Sequence, residues 1–270
     1  MTIWEAIILG IVQGATEFLP ISSSGHLVLV PSIFHWPAAS LPLVAIVHQG
    51  TLLAVLVYFR RDLGQIIKGV WQGLVQRRPL ATPESRLGWF IVAGSIPAGV
   101  AGLALESFFE EVFSDPPVAA AFLLVTAVFL ITGERLMSGR KLIENITLTD
   151  AMVVGIFQMF ALFPGVSRSG STITGGLLRG LNREAAARFS FLLGIPAILG
   201  AGLLSGLDLV RANDLASQMP LLVGGFVAAA ISGYLCIHFL LTWLRSHSLY
   251  LFAAYTAAFS IIYLLFYFLG

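Results

Sequence analysis

The string "GIVQGATEFLPISSSG", residues 10–25, places a glutamine, a carboxylate and three serines inside a run otherwise apolar enough to sit in lipid. Polar and ionisable groups at membrane depth are costly, so their presence marks function by default. Pro20 and the serine run also stop any helix midway through the segment. A second string, "GIFQMFALFPGVSRSG" (155–170), aligns with the first without a gap at an offset of 145. Gly10/Gly155, Ile11/Ile156, Gln13/Gln158, Phe18/Phe163, Ser22/Ser167, Ser24/Ser169 and Gly25/Gly170 are identical pairs. Each string lies in a longer apolar segment, 3–36 and 150–181, that Pro, Gly and Ser break in the middle. The halves, roughly ten to fifteen residues each, are too short to cross a bilayer. Backbone can leave the helix at membrane depth only where protein or a watery cavity satisfies it. Both segments therefore read as re-entrant helix–loop–helix hairpins, with a kinked spanning helix as the plainer alternative.

The rest of the chain fits that setting. Of its 270 residues 57% are hydrophobic and 11% charged, against roughly 45–50% and about 25% in soluble domains. Six further segments are long and apolar enough to span: 40–59, 88–107, 117–133, 185–207, 219–242 and 250–268. The fold class is thus an all-α polytopic membrane protein, with six transmembrane helices and two re-entrant hairpins in one integral membrane domain. The single cysteine, Cys236, excludes an intrachain disulfide. The N-terminus lacks the basic region of a signal peptide.

Basic residues fix the orientation. The 60–87 loop holds six, 134–149 three (Arg135, Arg140, Lys141), 179–188 three (Arg179, Arg183, Arg188), and Arg245 marks one more loop. The predicted topology puts these thirteen on one side, with Arg211 alone on the other beside the acidic 105–117 loop. By the positive-inside rule the rich side is cytoplasmic and both termini lie outside. Three spans separate the hairpins, so one enters from each side. That is an inverted-topology repeat, with repeat 1 about 1–133 and repeat 2 about 146–270. Such repeats place their site near the midplane where the halves meet.

The meeting loops pool Glu17, Ser22, Ser23, Ser24 and His26 with Ser167, Arg168, Ser169, Ser171 and Thr172. Each loop precedes a half-helix whose free N–H groups favour an anion. Serine hydroxyls and an arginine fork complete what a phosphate requires. Glu17 offers an oxygen for a hard divalent cation, or a base. His26 can move a proton or act as nucleophile. Plainer roles exist for each: Ser24 or Ser169 as helix caps, Glu17 as a structural partner of Arg168, His26 as a satisfied core histidine. His48 and Gln49 either line the cavity or pair within the core.

"QGATEFLPISSSGHL" (13–27) and "PGVSRSGST" (164–172) resemble the two signature motifs of the undecaprenyl-diphosphate phosphatase family, the bacitracin-resistance type. "GSIPAG" (94–99) and "NREAAARFSFLLGIPAILGAG" (182–202) resemble its other characteristic stretches. The resemblance implies hydrolysis of undecaprenyl diphosphate to the monophosphate carrier and phosphate, which recycles the carrier for peptidoglycan synthesis and confers bacitracin resistance. It further implies a divalent cation, Mg2+ or Ca2+, and a bacterial plasma membrane location with the site open to the outer face. The family's functional residues map onto Glu17, Ser23, His26, Ser167 and Arg168, with Thr172 nearby. Catalysis is assigned to Glu17, Ser23, His26 and Arg168, and the metal to Glu17. Substrate binding is assigned to Gln13, Ser22, Ser24, Ser167, Ser169, Thr172 and Arg168. Partners are the polyprenyl diphosphate lipid and the membrane, not nucleic acid, and a homodimer is left open.

One position departs from the family. Many members carry a second glutamate one helical turn before Glu17, where this chain has Gln13. Glutamine can ligate a cation through its carbonyl but is neutral and a poor base. The nucleophile stays open between His26, Ser23 and water. The rival reading from another class is a transporter or flippase for a polyprenyl phosphate or other anion, since inverted repeats and broken helices are common in transporters.

Overall fold

The computed structural model describes residues 1–105, 115–211 and 215–269, and the side chains of all of these except 203–217. Glu106, Glu110 and Glu111 of the acidic loop lie outside the described residues. The described residues form eleven α-helices and no strand. In chain order they are α1 (Ile3–Phe18), α2 (Ser23–Ile33), α3 (Leu41–Tyr58), α4 (Arg60–Val75), α5 (Pro83–Ala104), α6 (Pro116–Leu136), α7 (Leu148–Phe160), α8 (Arg168–Leu178), α9 (Arg183–Arg211), α10 (Leu215–Trp243) and α11 (Tyr250–Leu269). Six of them, α3, α5, α6, α9, α10 and α11, are long and apolar enough to cross a membrane, as the sequence indicates. The protein is a multi-pass membrane protein.

Both broken segments break where expected. Leu19, ahead of Pro20, is extended and ends α1, because the residue before proline avoids the helical region. Chain direction is regained at Ser22, which caps α2 by accepting the Gly25 N–H. In the second segment Gly165 takes φ +89 under the Ala119 carbonyl, a place where a Cβ would overlap that oxygen. Ser167 then caps α8 by accepting the Gly170 N–H. The caps are Ser22 and Ser167 rather than Ser24 and Ser169. The four half-helices have 16, 11, 13 and 11 residues, or about 16–24 Å at ~1.5 Å per residue.

The correspondence at an offset of 145 runs further than the aligned strings. Thr2 and Glu5 form a reciprocal capping box at the start of α1, and Thr147 and Asp150 form one at the start of α7. Gly10 on α1 sits against the Gly225 carbonyl of α10, and Gly155 on α7 against the Gly94 carbonyl of α5. At each point a missing side chain lets two helices approach closely, as small residues do between membrane helices.

One element departs from the sequence reading. The 60–87 stretch reads as a basic loop but contains α4, which has little overall hydrophobicity. Its apolar residues Leu63, Ile66, Ile67, Val70, Trp71 and Leu74 recur at helical spacing, and packing fixes it in place: Ile66 is buried against Gly88, while Gly69 and Gly73 lie near Thr82 and Ser85. The helices α9 and α10 also run past the apolar windows at 207 and 219, because hydropathy marks the crossing and not the end of the helix.

All four basic groups gather at one end of the molecule, joined by carboxylates. Asp62 accepts from Arg188 at 2.5 Å, and Glu184 from Arg245 at 3.2 Å. Glu134 takes Arg183 in a two-bond fork (2.8 and 2.6 Å) and also accepts the Leu249 N–H. Asp150 is held by Lys141 (2.7 Å) and Arg179 (2.9 Å), while Lys141 and Leu181 form a short parallel bridge. Burial alone would raise the Asp150 carboxyl, but Lys141, the Thr147 N–H and Arg179 outweigh it and hold its pKa at about 2. The Asp150–Arg179 pair brings the start of α7 and the residue after α8 to this end together. Ala6 of α1, Leu27 of α2 and Leu43 of α3 instead share a cluster with Leu222 near the start of α10.

Gly155→Ala should lower the thermal unfolding midpoint in detergent by the equivalent of roughly 1–3 kcal/mol, the usual cost of overpacking. Gly99→Ala, with open space around it, should leave the midpoint unchanged or slightly raised.

Candidate active site

The two breaks meet. Ser24 Oγ accepts the Gly165 N–H at 3.3 Å, and Ser169 Oγ donates to the Leu19 carbonyl at 3.1 Å. Each loop thus satisfies backbone of the other, as backbone buried away from water must be. Within each loop the paired serines also touch, Ser22 Oγ to Ser24 Oγ at 3.3 Å and Ser167 Oγ to Ser169 Oγ at 3.1 Å. Ser167 is further fixed by its N–H, which donates to Thr126 Oγ1 of α6 at 2.8 Å.

At the junction sits Glu17, 6% exposed, on the last turn of α1. Its Oε1 accepts from Arg168 Nη2 at 2.6 Å. Its Oε2 accepts the Ser23 hydroxyl at 2.6 Å and Gln13 Nε2 at 3.0 Å. The short O–H···O contact is that of a charge-assisted bond. His48 Nε2 lies 3.9 Å from the same Oε2. The second arm of the guanidinium, Nη1, donates to the Ser190 carbonyl at 3.2 Å. Space for the fork comes from Gly194 on α9: a Cβ there would fall on the guanidinium. Gln13 is fully buried, and its Oε1 has no hydrogen-bond partner.

The structure brings Gln13, Glu17, Ser23 and Arg168 into one cluster. Ser22 and Ser167 serve as caps, and Ser24 and Ser169 tie the loops together. Thr172 turns its hydroxyl to the Arg168 carbonyl (2.7 Å) and to Ser190 Oγ (2.6 Å), which anchors the backbone beneath the arginine. His26 does not join the cluster. Its Nδ1 donates to the Ser22 carbonyl at 2.7 Å, and its Nε2 meets the Tyr255 hydroxyl of α11 at 2.9 Å. Sequence reasoning missed Ser190, Thr126, Gly194 and Tyr255. Of these only Gly194, next to an apolar run ending in proline, left a trace in the sequence, and it could not be told from ordinary helix packing. His48 stood between cavity lining and core pairing; its place beside Glu17 puts it with the cluster.

A buried carboxylate bonded at once to a hydroxyl and a guanidinium is equipped to take a proton from the hydroxyl while the fork holds an anion. The chain matches the family model described as "Bacitracin resistance protein BacA" over residues 6–262. It belongs to that family. It is 47% identical to the undecaprenyl-diphosphatase of Thermomicrobium roseum, over 98% of both chains. It is 46% identical to the undecaprenyl-diphosphatase of Trichlorobacter lovleyi (96% of this chain, 94% of that one). The enzyme of the same name from Myxococcus xanthus is 42% identical over 98% of this chain and 89% of its own. Of the stretches quoted for the resemblance, 13–27 contains the first loop and 164–172 most of the second, while 94–99 lies on α5 and 183–202 on α9.

Glu17→Ala should destabilise the protein by roughly 3–5 kcal/mol, because it leaves the Arg168 charge buried without its partner. Glu17→Ala combined with Arg168→Met should recover most of that loss. Thermal unfolding of the two variants in one detergent checks the pair.

Proposed function

We propose that this protein hydrolyses undecaprenyl diphosphate to undecaprenyl phosphate and inorganic phosphate. The observation that carries the reading is the Ser23 hydroxyl donating to Glu17, whose other oxygen is held by Arg168. Family membership and relatives named undecaprenyl-diphosphatase supply the substrate.

In this mechanism the terminal phosphoryl group takes the guanidinium fork of Arg168, with the N–H groups at the start of α2 and α8 beside it. As Arg168 turns to the phosphate, Glu17 loses its counter-ion and becomes the better proton acceptor. Ser23 Oγ passes its proton to Glu17 and attacks phosphorus. The bond to the bridging oxygen breaks, and undecaprenyl phosphate leaves. Glu17 hands that proton to the departing phosphate, then takes one from the water that attacks the phosphoserine and passes it to Ser23 Oγ as the P–Oγ bond breaks, which frees phosphate and restores both side chains. Arg168 stabilises charge on the equatorial oxygens in both steps.

A divalent cation, Mg2+ or Ca2+, is part of the proposal. The unpartnered buried Oε1 of Gln13, the Glu17 carboxylate and the Ser23 hydroxyl form a set of oxygens suited to a hard cation. Among the described residues no three His, Cys, Asp or Glu side chains could hold a metal by themselves, so water and substrate oxygens would complete the shell. When bound, the cation would neutralise charge on the diphosphate.

The halves 1–133 and 146–270 are proposed to be inverted-topology repeats, with 3–36 and 150–181 as re-entrant hairpins. Matching capping boxes, caps and close glycine contacts at one offset support this reading. The gathered basic loops are proposed to face the cytoplasm of a bacterial plasma membrane, with the site open to the outer side.

Purified protein should release phosphate from a long-chain prenyl diphosphate and lose that activity in chelator. Full turnover after exhaustive metal removal would reassign Glu17 and Gln13. Arg168→Lys should lower kcat by roughly 10²–10³, as for loss of one oxyanion-hole donor. Gly194→Ala, which displaces the fork, should fall nearly as far while the protein stays folded. Flux of intact diphosphate lipid without hydrolysis would favour a carrier.

Sidedness is checked by cysteine labelling in a Cys236→Ser background. Ala38→Cys should react with an impermeant reagent in intact cells and Gln76→Cys should not; labelling of both would sink the inverted topology.

A further inference from the structure

Ser22 has φ +72, in the left-handed region, whereas its counterpart Ser167 has an ordinary φ of −66. A non-glycine residue keeps such a conformation only when its surroundings over-determine it. Here the Ser22 carbonyl accepts twice from one residue, from the His26 N–H at 3.3 Å and from His26 Nδ1 at 2.7 Å. A carbonyl can only accept, so Nδ1 carries a proton, and in the neutral ring Nε2 is left to accept the Tyr255 hydroxyl at 2.9 Å. The imidazole lies nearly parallel to Phe259 (4.8 Å, 6°) and to Tyr255 (5.8 Å, 9°), which are themselves parallel to each other (5.9 Å, 5°). Stacked and bonded at both nitrogens, the ring has no freedom to pivot. Among the described residues neither nitrogen bonds to Glu17, Ser23 or Arg168.

We infer that Tyr255 and His26 form a positioning pair, which ties the Ser22 turn to α11 and thereby presents the Ser23 hydroxyl to Glu17. The residue that follows the strained turn is Ser23 itself, so any relaxation of Ser22 swings that hydroxyl off the carboxylate. Tyr255 and Phe259 lie on the last span, more than two hundred residues away in sequence. The orientation of the nucleophile therefore depends on how α11 packs. His26 acts through Ser22, not on phosphorus, and Tyr255 acts through His26. The chemistry of this role rests on the diphosphatase reading.

Three variants test it in purified, folded protein. His26→Asn keeps an N–H donor close to the place of Nδ1 but has no group to serve as nucleophile or base. It should restore at least about tenfold of the kcat lost in His26→Ala, at unchanged KM. Tyr255→Phe removes one hydrogen bond and should lower kcat by up to about tenfold, the scale of a single such bond, again with KM unchanged. Rapidly quenched enzyme should carry an acid-stable phosphoserine. His26→Asn as dead as His26→Ala, with Tyr255→Phe at full kcat or an acid-labile phosphoenzyme, would overturn the inference and make His26 the reacting group. A readout without turnover separates this from failure of the diphosphatase reading. In Cys236→Ser protein, the thiol introduced by Ser23→Cys should be alkylated at a different rate once His26→Ala or Tyr255→Phe is added, and at nearly the parent rate with His26→Asn. Equal rates in all four proteins would dismiss the pair even if no diphosphate were hydrolysed.

Discussion

The structure turns on one ion pair, Glu17 with Arg168, formed between two helices that each stop short of crossing the molecule. Taking both charges out of water costs several kcal/mol per ion unless each finds partners. The partners are local and few: Ser23 and Gln13 on the carboxylate, the Ser190 carbonyl on the guanidinium. Each needs its own helix to be in place. Gly194 must remain bare for the fork to fit, and Thr172 must hold the backbone on which the arginine stands. A pair that is a weak source of net stability is still a strict condition on geometry, since either charge alone would be intolerable.

Around that pair the polar groups divide cleanly into those that hold and those free to react. The cap serines, the crossing serines and Thr126 satisfy loop backbone that lipid could never satisfy. Left beside the pair are the Ser23 hydroxyl facing a carboxylate, a guanidinium that can be drawn to a better anion, and a buried, unpartnered amide oxygen on Gln13. The charged end tied by Asp150, Glu134 and Asp62 keeps the arms of the second loop aligned from a distance, and the glycine contacts on α5 and α10 keep the helix pairs close.

Much of this could be read from the chain. The six spans followed from hydropathy, and both breaks from Pro20, Pro164 and the serines beside them, because a missing N–H has a direct local effect. Gathering Glu17, Ser23 and Arg168 needed only the repeat and the cost of burying charge. The helix α4 was hidden by its basic residues and low overall hydrophobicity, although Leu63, Ile66, Ile67, Val70, Trp71 and Leu74 recur at helical spacing. For His26 the sequence gives proximity to Glu17 and Ser23 along the chain but no direction for the ring. Its direction is set by Tyr255 and Phe259, whose relation to residue 26 exists only after the chain has crossed the membrane repeatedly. Gly194 reads in the sequence as ordinary helix packing, for an absent side chain shows its purpose only when its neighbour is known.

Residues 23 and 168 occupy the same place in the two aligned strings, one a serine and the other an arginine. Glu17 aligns in the same way with Leu162. Two identical copies joined head to tail would face each other with two hydroxyls or two guanidiniums, and with two carboxylates or none. Neither combination gives the arrangement the proposed mechanism uses, an attacking oxygen opposite an anion holder around a single base. On the proposed repeat the scaffold profits from likeness between the halves, whereas the proposed chemistry needs them to differ at a handful of places. A fused chain permits that, since each copy can then change alone, while an assembly of identical subunits would have to change both at once.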